Sequence, residues 1–191
     1  MLWIGWFGFN GGSALAAGNS AGMALLVTHI AAATASLVWM GIEWFRFGRP
    51  SLVGIVTGMV AGLATVTPAS GFIGAPGGLI LGLAGGVACY VAVDILRVRM
   101  KIDDSLDVFA VHGVGGIMGS LLVAWLALPS LGGLGLADGV SATSQFGVQF
   151  LSVAITVGWT VVASVVILRV IGAVIGLRVD QQDEIEGLDL S

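Results

Sequence analysis

The chain has 191 residues, 57% of them hydrophobic and 9% charged, with a mean hydropathy of +1.05. Soluble domains carry about 25% charged residues, so the solvent of most of this chain is lipid. The net charge of −4 leaves no basic footprint for nucleic acid, and a single cysteine, Cys89, excludes an internal disulfide and a multi-cysteine metal site.

The chain opens "MLWIGWFGFNGGSALAAG". A secretory signal needs a cation before its apolar core, and none is present; Asn10 and Ser13 also interrupt that core. The stretch reads instead as a short membrane helix over 2–18, and the expectation is that the chain begins partway through a larger protein. Five further apolar runs follow, at 21–45, 51–68, 77–97, 106–128 and 146–178. The expected fold class is therefore all-α: a polytopic membrane helix bundle with about six spans. The last run would be about 50 Å long if helical throughout. It must tilt or project beyond a hydrocarbon core of about 30 Å. The expected division is a membrane region over 1–178 and a polar, acidic tail over 179–191.

The cations set the orientation. Arg46 and Arg49 follow the second run, Arg97, Arg99 and Lys101 the fourth, and Arg169 and Arg178 the end of the sixth. Alternating spans place them all on one side, which the positive-inside rule makes cytoplasmic. The tail falls on that side too, in an inner (plasma) membrane. Packing is written in glycine. Gly54, Gly58 and Gly62 recur every four residues, as do Gly78, Gly82 and Gly86, and Gly115 with Gly119. Each set makes a groove along one helix face where backbones approach closely.

Few polar groups interrupt the apolar runs. Asp104 suits a helix cap, with Asp107 at the third helical position, and both favour the positive end of a helix dipole; a supporting role for the site stays open beside this capping role. His112 lies two turns further in, among Val108, Val111 and Val114. A neutral imidazole needs a donor and an acceptor, and an intramembrane ionisable group points first to a transport pathway. His29, beside Thr28, either pairs with His112 in a relay or bonds a neighbouring helix. Trp3, Trp6, Phe7 and Phe9 precede Asn10 and Ser13 near the outer end of the first run. They are interfacial anchors, or ring faces and a hydroxyl that receive a cation. No metalloprotease motif, phosphate loop or redox cysteine pair occurs, so an enzyme is the least favoured class and no cofactor or metal is implied.

Four blocks, "GWFGFNGGSA", "GRPSLVGIVTGMVAGLATVTPASGFI", "DDSLDVFAVHGVGGIMGS" and "GLRVDQQDEIEGLD", resemble the ammonium transporter family, with Rh proteins as distant relatives. The resemblance covers essentially the whole chain and corresponds to the C-terminal half of an eleven-span fold. It implies a homotrimer with one hydrophobic pore per subunit, carrying ammonium or ammonia. By motif position, Phe9 resembles a gate phenylalanine, Ser13 the hydroxyl of the outer recruitment site, and His112 the second pore histidine; Val108 and Trp6 resemble pore-wall residues. His29 does not match the other pore histidine and reads as a helix-packing residue. That histidine, the other gate phenylalanine and the recruitment tryptophan belong to the family's first five spans. The resemblance also implies docking of P-II-type regulatory proteins at the cytoplasmic face. The "EGLD" element is present, while the tail ends at "GLDLS", sooner than the family's. Two alternatives stand beside transport: an ammonium sensor on the same scaffold, and an inactive truncated fragment.

Overall fold

The structure, a computed structural model, describes residues 1–189. The last two residues of the expected tail lie outside them. The described residues are helical with no strand, in the order α1 (Leu2–Gly12), α2 (Asn19–Phe47), α3 (Leu52–Val66), α4 (Ala75–Val93), α5 (Val114–Leu126), α6 (Ala142–Val174) and α7 (Gln181–Glu186). A 3₁₀ turn, Thr67–Ala69, extends α3. Wide π turns extend α4 through Asp94–Arg99 and precede α5 over Phe109–Gly113. Five helices are long and apolar enough to cross a membrane: Asn19–Phe47, Leu52–Ala69, Ala75–Arg99, Phe109–Leu126 and Ala142–Val174. The protein is an all-α, multi-pass membrane bundle.

The expected first span over 2–18 is corrected. Its helix runs from Leu2 and stops at Gly12, short of the expected end at 18. Leu15 takes a positive φ of 60°, which breaks the helical run, and the next helix begins after Gly18. The other predicted spans agree with the helices to within a few residues at each end.

The helix ends follow from local chemistry. Gly48 closes α2 in the left-handed region at φ 72°, where only glycine is unstrained. Ser51 caps α3 by accepting the Gly54 amide at 2.9 Å, and Glu43 accepts both the Ser51 amide, at 2.6 Å, and its hydroxyl, at 3.1 Å. Pro76 sits in the first turn of α4, where its missing amide proton costs nothing.

Two compact units divide the chain, one over residues 1–150 and one from Leu151 onward. In the first, α2 is the central post, packed against α3 and α4. Its buried face is Ala24, Val27, Ala31, Ala32, Ala35 and Trp39. The glycine grooves lie where the four-residue spacing puts them. Gly54, Gly58 and Gly62 of α3 meet Glu43, Trp39 and Ala31 of α2; Gly78, Gly82 and Gly86 of α4 meet Val27, Ala31 and Val38. Gly115 and Gly119 of α5 meet Thr65 of α3. Small side chains on both partners let the backbones touch, and dispersion replaces the hydrophobic drive that lipid cannot supply. One core cluster joins Val27, Ala31, Val66, Leu81 and Val123; another joins Trp39, Ala61, Ala64, Cys89 and Val111. In the second unit, the remainder of α6 exposes apolar residues such as Ile155, Trp159 and Ile167, as a lipid-facing helix does, while α7 is the short acidic helix of the tail.

Candidate functional site

The site is built on α1 and the start of the spanning segment Phe109–Leu126. Trp6, Phe9 and Ser13 stand three and four residues apart, so α1 presents them on one side. The ring of Trp6 lies 6.5 Å from that of Phe9, edge to face. It stacks on the imidazole of His112 at 6.0 Å and 17°. Trp6 and Phe9 are therefore brought together with His112 from a distant part of the sequence. Phe9 is 62% exposed, so this face is open; Val108, one turn before His112, is exposed as well. An apolar hollow of about 490 Å³ opens beside Trp6 and Phe9, bounded by Met1, Leu2 and Gly5.

His112 belongs to the π turn Phe109–Gly113. Such turns widen the helix by one residue and re-aim the side chains they carry. Among the described residues the His112 ring stacks on Trp6, and no hydrogen bond holds either of its nitrogens. The imidazole keeps one donor and one acceptor for something else. Ser13 ends α1, and its hydroxyl donates to the Phe9 carbonyl at 2.7 Å. With its proton committed, the exposed oxygen offers only lone pairs outward, which suits a ligand rich in N–H donors.

The two aspartates separate. Asp104 is a cap: its carboxylate accepts the amides of Val108 at 2.8 Å and Phe109 at 2.9 Å. Asp107 is not at a third helical position. It precedes the helix, with a positive φ of 54°. Its side chain turns into a cavity of about 280 Å³ at the cation-bearing end, lined by Glu43, Asp94 and Arg97. Arg97 reaches its Oδ2 at 3.4 Å. Burial pushes the Asp107 carboxyl above its ordinary range, and Arg97 pulls against that shift. The cause is local: Asp104 takes the exposed amides first, and the backbone must reverse before the helix begins.

His29 stacks on other rings of α1, Trp3 at 5.1 Å and Phe7 at 6.2 Å. It is a contact between α1 and α2. Sequence reasoning missed Thr67, whose hydroxyl accepts the Trp6 indole N–H at 2.7 Å. It also missed the buried role of Asn10, whose amide donates to Thr28 at 2.9 Å and to Thr67 at 3.4 Å. The signal available was polarity alone: an asparagine and two threonines inside apolar runs need partners.

By class the chain is an α-helical multi-pass membrane protein, with aromatic rings and an imidazole gathered on one open face. The particular family is shown by comparison: the model of the Ammonium Transporter Family matches residues 1–191, and the chain belongs to that family. It is 47% identical to the ammonium transporter Amt1 of Archaeoglobus fulgidus, over 100% of this chain and 48% of that protein. It is 43% identical to an ammonium transporter of Aquifex aeolicus, over 97% of this chain and 44% of that protein. Among solved structures it resembles one titled "Sensor Amt Protein", with a TM-score of 0.90 and 33% identity over 99% of this chain and 46% of the other. It also resembles Saccharomyces cerevisiae Mep2, with a TM-score of 0.80 and 34% identity over 91% of this chain and 43% of the other. The chain spans about half the length of the curated relatives it matches.

Proposed function

We propose that this chain forms one wall of a pore that carries ammonium or ammonia across a membrane, as a conduit rather than an enzyme. The observation that carries the reading is the Trp6–His112 stack at 6.0 Å, set beside Phe9 on an open apolar face. Ammonium cannot enter low dielectric bare, because an isolated charge there costs tens of kcal/mol by Born solvation. The outer end answers with the ring face of Phe9, which attracts a cation. The outward lone pairs of Ser13 accept its N–H groups. Past Phe9 the wall is apolar, so the species that proceeds is the neutral amine. His112 is its polar partner: one ring nitrogen accepts from ammonia or takes up a proton, and the other donates.

Residues 1–178 then act as the transmembrane region and 179–191 as a cytoplasmic tail. The cations support that orientation, since each set clusters at the same end of its helix. The chain spans about half of its relatives' length, and a second half of that kind would supply the pore's opposite wall. Family membership supports assembly as a homotrimer in the cell's inner (plasma) membrane. The acidic tail, with its short helix Gln181–Glu186, is the segment on which a P-II-type regulatory protein would act. A sensor role on the same scaffold is favoured by the likeness to the structure titled as a sensor.

The test is His112→Ala in the native-length protein, reconstituted in liposomes. Ammonium-selective uptake is lost or altered, while the oligomer keeps its elution volume. Uptake of unchanged rate and selectivity refutes the pore assignment.

A further inference from the structure

We infer that Thr67 is a positioning residue for selectivity: its hydroxyl fixes the Trp6 ring, and through it the width of the wall at His112. The inference rests on the transport reading above and adds to it a residue outside the set of pore-facing side chains. Four observations carry it. The Thr67 hydroxyl is fully used. It accepts the Trp6 indole N–H at 2.7 Å and the Asn10 amide at 3.4 Å, and it donates to the Leu63 carbonyl at 2.7 Å. It is therefore engaged as a hub and has no proton left for a substrate. The residue is held rigidly, at the start of the 3₁₀ turn Thr67–Ala69 with Pro68 behind it. Asn10 ties the same hub to α2 through Thr28, whose hydroxyl is anchored to the Ala24 carbonyl at 2.6 Å. Three helices are thus linked through Thr67 and Asn10. Finally, the ring so held is the one that stacks on His112 at 17°.

An indole can rotate about two side-chain torsions, and a stack on an imidazole restrains it weakly. A hydrogen bond to its single N–H removes that rotation, because no other acceptor answers it here. Discrimination by size in an apolar slot is modest, about tenfold or somewhat more for one extra methyl-sized group, and it requires a wall that does not yield. Freeing Trp6 lets the slot accommodate methylammonium.

The experiment compares ammonium and methylammonium uptake by the native-length protein in liposomes for Thr67→Val and Thr67→Ser. Valine keeps the shape and removes the acceptor; serine keeps the acceptor. The methylammonium-to-ammonium ratio should rise at least about threefold in Thr67→Val and return to the wild-type value in Thr67→Ser. A residue that only stabilises the fold lowers both rates together, so an unchanged ratio in folded Thr67→Val overturns the inference. A second measurement needs no variant at position 67 to fold and no transport. In the wild-type protein labelled with ¹⁵N-indole, the Trp6 resonance is identified by its loss in Trp6→Phe, and its N–H exchanges slowly with solvent. Fast exchange there overturns the inference. Slow exchange in a protein that carries neither substrate upholds the hub and overturns the transport reading alone.

Discussion

Gly62→Ala tests the packing argument most directly. A Cβ added at Gly62 would lie 2.7 Å from the Ala31 carbonyl carbon and 2.9 Å from the Ala32 Cα, and closer still to the Ala31 oxygen. Comfortable carbon contacts are about 3.5–4.0 Å, so α3 must move away from α2 by close to an ångström. All three obstructing atoms are backbone, and no rotamer can relieve them. Overpacking costs typically 1–3 kcal/mol, and a clash with backbone belongs at the upper end, roughly 3 kcal/mol. Alanine in place of glycine returns about 1 kcal/mol of helix propensity. The expected net loss is therefore about 2 kcal/mol. Gly158→Ala in α6 is the control, since a Cβ there meets nothing within 4 Å; it should keep or gain stability. The assay is SDS-induced unfolding of the native-length protein in mixed micelles, followed by tryptophan fluorescence. Gly62→Ala as stable as wild type, or Gly158→Ala equally damaged, refutes the reasoning that the stripe is a packing groove.

Three further outcomes are expected. Asp104→Ala strips the acceptor from the Val108 and Phe109 amides; it should cost about 1–2 kcal/mol in the same unfolding assay, and no loss would show that solvent replaces the cap. Asp107 has its carboxyl raised chiefly by burial. The folded state therefore holds its proton more readily than the unfolded state, and the associated stability is present below the ordinary carboxyl range, about 3.9, and is lost as pH rises through the raised value. Asp107→Asn should flatten that fall, and a pH profile of stability identical to wild type would contradict the assignment. Ser13→Ala removes the outward lone pairs and should reduce uptake most at low ammonium concentration, raising KM more than it lowers the maximal rate; equal effects at all concentrations would place Ser13 outside the recruitment step.

Several features of this protein are legible from residue order alone. Lipid demands long apolar runs because an unpaired backbone group has no water to turn to, so spans announce themselves by composition. Glycines four residues apart need no tertiary knowledge either: helical geometry puts them on one face, and close packing is their use. The match of Gly62 to Ala31 was implicit in the spacing; only the partner's name was missing. The membership of α1 in the wall came from motif resemblance, since Trp6, Phe9 and Ser13 read equally well as interfacial anchors.

What residue order left open was decided by long-range contacts. The stack of Trp6 on His112 joins residues far apart in the chain, and no local pattern encodes it. Thr67 is a further case. Its neighbours in sequence explain a turn with proline at its start, while its hydrogen bonds depend on an indole and an amide arriving from α1. Asp107 looked like a helix residue because propensity sees only nearest neighbours; Asp104's claim on two amides, and the cavity at the base of α2 and α4, moved it out of the helix and into burial. Composition and periodicity determine which surfaces are apolar. Which polar groups meet depends on where the backbones finally cross, because each buried donor and acceptor must find a partner there.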